Sequence, residues 1–120
     1  MGHPVKKVFL VEDEPEIAAW IKNKMERFIN LDLINWCDRL DGTYDLLLQA
    51  SPDILILDLK LPDGNGLDLL KEINKNDLNI KVFVLSVNSV ARNACLRAGA
   101  DYFFDKASET DYFLEKLSIL

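Results

Sequence analysis

Short apolar runs alternate along this chain with longer stretches in which apolar residues recur every three or four positions. Val8-Phe9-Leu10-Val11 is apolar on both faces and is followed at once by Glu12-Asp13-Glu14, so it predicts a buried strand. Pro15 suits the first turn of a helix, and Ile17, Ile21, Met25 and Phe28 continue it along one face. Leu31 to Trp36 predicts a second strand. Leu40, Tyr44, Leu47 and Leu48 mark a second helix, which Ser51-Pro52 closes. Ile54-Leu55-Ile56-Leu57 carries the strongest strand signal and stops abruptly at Asp58. Leu61-Pro62-Asp63-Gly64-Asn65-Gly66 is dense turn chemistry, and Leu67, Leu70 and Ile73 then share one helical face. Val82 to Leu85 is a fourth strand that ends at Ser86, and Ala91 to Ala98 a short helix ended by Gly99. Tyr102-Phe103-Phe104 is a fifth strand, with Lys106 just beyond it. Ser108 to Leu120 closes the pattern as a helix, with Ser108 and Asp111 spaced as an N-terminal cap.

Strands that alternate with helices imply an α/β fold: a five-stranded parallel sheet with helices on both faces, joined by right-handed crossovers, a (βα)5 arrangement. The 120 residues fit one domain, over residues 5–120. Residues 1–4, Met1-Gly2-His3-Pro4, are set aside as a disordered start or expression remnant. The hydrophobic fraction of 49% supports one ordinary core. The net charge of −6 argues against direct nucleic-acid binding and against an anionic membrane surface, both of which need clustered Lys and Arg. It suits a site for a cation, or a partner with a basic patch. No stretch reaches the roughly 18 apolar residues of a membrane span, and no cleavable leader is present. Cys37 and Cys95 lack metal spacing and read as buried free thiols, in keeping with a reducing, cytoplasmic setting.

Candidate chemistry collects at the strand ends. The first strand ends in Glu12-Asp13, the third in Asp58, the fourth in Ser86, and the fifth near Lys106. Ligands of open parallel sheets bind outside the carboxyl ends of the strands, so these residues converge on one edge. Grouped carboxylates repel one another unless a cation joins them. Magnesium is the natural choice, because it takes hard oxygen ligands and leaves room for water and phosphate oxygens. Lys106 adds an ammonium and Ser86 a hydroxyl, the groups that phosphoryl transfer requires. An aspartate can itself be the nucleophile. Each residue also has an ordinary reading. Asp13 and Glu14 complement a helix dipole, Asp58 sits in a turn, Ser86 caps a helix, and Lys106 is a surface lysine. Those readings must all hold together at several strand ends, which favours a shared site.

At this point the chain resembles the receiver domain of two-component response regulators, in single-domain form. The resemblance rests on Val11-Glu12-Asp13-Glu14-Pro15, on Ile56-Leu57-Asp58 through Gly66, on Leu85-Ser86, and on Gly99-Ala100-Asp101 through Lys106. It implies a flavodoxin-like receiver fold and Asp58 as phosphoacceptor. It implies Mg²⁺ held by Glu12, Asp13, Asp58 and the backbone carbonyl of Lys60. Ser86 and Lys106 would bond phosphoryl oxygens, and Phe103 falls at the aromatic switch position beside Ser86. The implied donor is a phosphohistidine of a sensor histidine kinase or histidine phosphotransfer protein. Phosphorylation would alter the face of the fourth helix, fifth strand and fifth helix for a downstream protein. The domain would be no enzyme beyond its own phosphorylation and dephosphorylation.

Three features depart from the family pattern. The interval from Ser86 to Gly99 is short, Phe103 has no hydroxyl, and Lys60 and Asn88 stand where phosphate lifetime is tuned. A rival reading is a degenerate, phosphorylation-independent receiver-like interaction module, which the intact set Asp13, Asp58, Ser86 and Lys106 opposes. A hydrolase with an aspartyl phosphate would carry an acidic residue where Lys60 stands. A nucleotide or flavin protein would need a Gly-rich loop where Glu12-Asp13-Glu14-Pro15 stands.

Overall fold

Each apolar run forms a strand of one parallel sheet. The structure is a computed structural model and describes residues 4–120, so the expectation for the first residues lies, at 1–3, outside the described part. The strands are β1 (Lys6–Val11), β2 (Leu31–Cys37), β3 (Ile54–Leu57), β4 (Lys81–Ser86) and β5 (Tyr102–Asp105). The helices are α1 (Pro15–Met25), α2 (Thr43–Ala50), α3 (Gly66–Lys75), α4 (Arg92–Arg97) and α5 (Thr110–Ser118). The sheet order is β2-β1-β3-β4-β5, every pairing parallel. This is the expected flavodoxin-like arrangement, with the strand order reversing between β1 and β3. Between β3 and α3, Lys60–Leu61 and Gly64–Asn65 add a small antiparallel ribbon.

Successive strand side chains point to opposite faces, so alternate residues build two separate cores. Phe9, Val11, Leu55, Leu57, Val82, Val84 and Phe103 pack with Leu47, Leu70, Ile73 and Cys95, under α2, α3 and α4. Val8, Leu10, Ile54, Ile56, Phe83 and Leu85 pack with Ala18, Ile21, Met25, Phe113 and Leu117, under α1 and α5. Apolar runs with no polar alternation are what such a doubly covered sheet requires. The β1–β2 register slips by one residue: Val8 faces Leu33, but Phe9 faces Asn35. The slip sets Trp36 opposite Leu10 and Cys37 opposite Val11. At the other end of the sheet, Asp53 and Asp101 accept the backbone N–H groups of Lys7 and Val82, each at 2.7 Å.

Several boundaries differ from the sequence expectation. The fourth helix is shorter than Ala91 to Ala98: a 3₁₀ turn, Ser89–Ala91, precedes six α-helical residues. Gly99 then turns the chain at φ +108, a conformation that side chains rarely adopt, with the Asn74 side chain close beside it. Leu40 precedes α2, which starts at Thr43. Ser108 does not cap α5. The helix begins two residues later with Glu109 at its cap position, and the Glu109 carboxylate is committed elsewhere, to the Asp105 N–H and to Arg92. Cys95 is a buried free thiol as expected, whereas Cys37, on the edge strand, is only half-buried. No helix among the described residues is long and apolar enough to cross a membrane.

Phe83 sits at the centre of the α1/α5 core, fully buried, with ring centroids of Tyr102, Phe113 and Phe104 at 4.8, 6.2 and 6.3 Å. Phe83→Ala is expected to lower unfolding stability by roughly 3–5 kcal/mol, read from the shift of the urea midpoint at unchanged slope.

Candidate functional site

Backbone bonds at the carboxyl edge of the sheet set the site. The Glu12 N–H donates to the Cys37 carbonyl at 3.0 Å, and the Asp58 N–H to the Val11 carbonyl at 2.9 Å. The Lys106 N–H donates to the Ser86 carbonyl at 2.9 Å. Glu12, Asp13 and Asp58 therefore meet where the strand order reverses. One carboxylate oxygen from each lies within 4.8 Å of the others. Glu12 and Asp58 are buried, at 1% and 6% exposure, and Asp13 is half-buried. The Lys106 ammonium reaches into the group, 2.8 Å from Glu12 Oε1 and 3.1 Å from Asp58 Oδ2.

Burial pushes the Glu12 carboxyl up to about 7, against the hydrogen bonds from Lys106 and the Glu14 N–H, and the Asp58 charge adds to the rise. Burial also works against the Lys106 charge, but Glu12 and Asp58 outweigh it and hold the ammonium above its ordinary range. Three carboxylates face one ammonium here, so the group is short of positive charge. An all-oxygen, acidic donor set of this kind fits a hard divalent cation such as Mg²⁺.

The remaining predicted residues lie around this centre. Ser86 is the buried last residue of β4, and its Oγ accepts the Asn88 N–H at 3.1 Å, so it serves a local turn as well as the edge. Lys60 opens the small ribbon, its side chain in solvent and its backbone opposite Asn65. Asn65 Oδ1 accepts the Leu67 N–H at 2.9 Å and caps α3. Gly66 lies against the Asp58 carbonyl so closely that any Cβ would collide with it. Phe103 is buried in the α2/α3/α4 core, below the edge.

Three contributors were not visible in the sequence. Arg92 stacks over Phe103, 4.9 Å from the ring centroid, donates to the Phe103 carbonyl at 2.9 Å and pairs with Glu109. The Asp105 N–H and Arg92 together hold the Glu109 carboxyl below its ordinary range. Asp63, read as a turn residue, accepts the N–H groups of Leu40 and Asp41, both at 2.8 Å, and so ties the β2–α2 loop to the ribbon. Trp36 donates its indole N–H to the Glu12 carbonyl at 2.8 Å.

A family model described as the response regulator receiver domain matches residues 8–118. The chain belongs to the response regulator receiver domain family. This receiver domain is 32% identical over 115 residues to a nitrate/nitrite response regulator protein homolog of Haemophilus influenzae, covering 92% of this chain and 54% of that protein. The chain thus spans about half the length of the curated relatives it matches. A DNA-binding response regulator of the LuxR family from Staphylococcus aureus shares the fold at a TM-score of 0.86 and 20% identity, over 96% of this chain and 98% of that one. The receiver domain of the Francisella response regulator 1452 superposes at a TM-score of 0.84 with 25% identity, over 95% and 94% of the two chains. Receiver domains of this family bind Mg²⁺ at an acidic pocket and take phosphoryl groups from histidine kinases.

Gly66→Ala is expected to force the Asp58 backbone aside and lower stability by roughly 1–3 kcal/mol, with amide shifts in an NMR spectrum centred on Asp58 and Leu59. Glu12 gives a pH-dependent prediction. Its folded pKa is raised, so its contribution to stability is complete below its unfolded value near 4.5 and is lost as pH rises through about 7. In EDTA, Glu12→Gln is therefore expected to gain melting temperature relative to the wild type between pH 5 and pH 8; an unchanged difference would refute the shift.

Proposed function

We propose that this receiver domain accepts a phosphoryl group on Asp58 and uses it to alter the face formed by α4, β5 and α5. The observation that carries this reading is the Lys106 ammonium shared between Glu12 and Asp58 inside a cluster of three carboxylates. A carboxylate that needs only a turn or a helix dipole has no use for such company. Glu12, Asp13, Asp58 and the backbone carbonyl of Lys60 would hold Mg²⁺, which when bound supplies charge neutralisation for the phosphoryl oxygens.

An Asp58 carboxylate oxygen attacks phosphorus in line, the bond from phosphorus to the donor imidazole breaks, and the imidazole leaves with that electron pair. The donor is a phosphohistidine of a sensor histidine kinase or histidine phosphotransfer protein. Lys106 then pairs with one phosphoryl oxygen in place of its present bond to Asp58, and Ser86 donates its hydroxyl to another. For Ser86 this means turning its O–H toward the edge, which its acceptor bond from Asn88 leaves free to occur. Movement at Ser86 passes to Lys106 through the backbone bond that joins them, and to Phe103 along β4 and β5, where Val84 faces Phe103. Phosphate shifts an existing equilibrium by binding one arrangement better. Phe103 has no hydroxyl, so its part in the change is one of packing, under the Arg92 guanidinium. The domain acts on itself alone, in the cytoplasm, and its signal goes to a downstream protein.

The deciding experiment is intact mass after incubation with acetyl phosphate, with and without Mg²⁺. A single phosphoryl adduct that requires Mg²⁺ and is lost in Asp58→Asn is expected. No adduct on folded wild type, repeated with a phosphohistidine donor, would favour the phosphorylation-independent module. Because Glu12 must be ionised to bind the cation, Mg²⁺ affinity should also fall by up to about tenfold for each pH unit below 7, measured by calorimetric titration.

A further inference from the structure

Trp36 occupies a place that its chemistry alone does not explain. It lies at the carboxyl end of the edge strand β2, with 48% of its surface exposed. An indole used only as core would be deeper. Its N–H is engaged, at 2.8 Å, by the backbone carbonyl of Glu12. That carbonyl lies one residue past the end of β1, where the strand has stopped and α1 has not begun. The first helical bonds are taken by the Glu14 carbonyl, from Ile17 and Ala18. The Glu12 carbonyl takes its bond from a side chain instead. The neighbouring groups are fixed as well: the Glu12 N–H by the Cys37 carbonyl, and the Glu14 N–H by Glu12 Oε2 at 3.1 Å.

We propose that Trp36 is a positioning residue for the cation site: its indole N–H fixes the Glu12–Asp13 peptide and thereby aims the Glu12 and Asp13 carboxylates at the centre they share with Asp58. The proposal rests on the cation-site reading given above. The peptide plane between Glu12 and Asp13 is set by the direction of the Glu12 carbonyl, because the six atoms of a peptide move together. Rotating that plane changes ψ at Glu12 and φ at Asp13, and so redirects the Asp13 carboxylate. Without the indole, the carbonyl falls to water, and the turn from Glu12 to Glu14 keeps only its N–H anchors. The one-residue slip in the β1–β2 register contributes here, since it brings Trp36 level with Leu10 and its indole within reach of Glu12. Groups that hold metal ligands in place are worth one to two orders of magnitude in affinity.

The test is Mg²⁺ binding by the purified chain, measured by calorimetry, for wild type, Trp36→Phe and Asp58→Asn. Phenylalanine keeps an aromatic ring but removes the donor, along with part of the ring's bulk. Trp36→Phe is expected to weaken Mg²⁺ binding by about tenfold or more. A control variant on the same strand, Leu33→Ala, lowers the melting temperature without weakening Mg²⁺ binding, which separates orientation from general loosening. A second test uses the unmodified protein: the Trp36 indole N–H resonance should shift with Mg²⁺ along the same curve as the Asp13 amide, while the Trp20 indole stays still. Wild-type binding with Trp36→Phe within twofold of it, or a Trp36 resonance unmoved at saturation, overturns the proposal and leaves the cation site standing. No saturable binding by wild type, equal to that of Asp58→Asn, overturns the cation site and this proposal with it.

Discussion

An ammonium buried between two carboxylates is the interaction on which the carboxyl edge of this molecule depends. The parallel ladder brings Glu12 and Asp58 together because β1 and β3 are neighbours, whatever the electrostatic cost. Two buried carboxylates side by side are unfavourable, and a partly desolvated charge needs a partner of opposite sign. Lys106 is that partner, delivered from beyond β5 and tied by its own backbone N–H to the end of β4. Its single charge is shared between Glu12 and Asp58, and the raised pKa of Glu12 records chiefly its burial, with the Asp58 charge adding to the rise. Such an acidic, all-oxygen donor set fits a hard divalent cation.

Much of this arrangement could be read from the linear pattern. Apolar runs without alternation gave the strands, and their abrupt polar ends gave Glu12, Asp13, Asp58, Ser86 and Lys106. Strand–helix alternation then implied that all of them share one edge, which holds for the three carboxylates and Lys106 as a contact group and for Ser86 through its backbone bond to Lys106. The contributions that escaped are of another kind. Arg92 to Phe103, Asp63 to Leu40, and Trp36 to Glu12 each join a side chain to a backbone group in a different segment. Such bonds follow no period, and their residue types are equally at home on a surface or in a turn. The cap of α5 was misread for a related reason: Ser108 has the right chemistry, but Arg92 and Asp105 already engage Glu109, and the helix starts after it.

The loops that frame the site are fixed by atoms rather than by bulk. Gly66 lets the start of α3 lie against the Asp58 carbonyl, Asn65 caps that helix, and Asp63 clamps the β2–α2 loop. The turn sequence that looked like punctuation is therefore a set of supports, of which Gly66 bears directly on the Asp58 backbone. Asp63 is held below the ordinary carboxylate range, chiefly by the Leu40 N–H, so this clamp stays ionised and intact through neutral pH and loosens only in acid.

The order of the sheet also divides labour between its strands. β1 and β3 each have a neighbour on both sides, so any displacement of either breaks two ladders at once. β5 lies at the margin and is paired with β4 alone. Its residues reach both cores, Phe103 into one and Tyr102 and Phe104 against the other. Its free side is not left open, since Arg92 covers the Phe103 carbonyl there. The molecule thus has a central keel that carries the clustered carboxylates and a plank beside it. The plank is held to the sheet by a single row of hydrogen bonds and one arginine hasp, so displacing it costs one ladder where displacing the keel costs two.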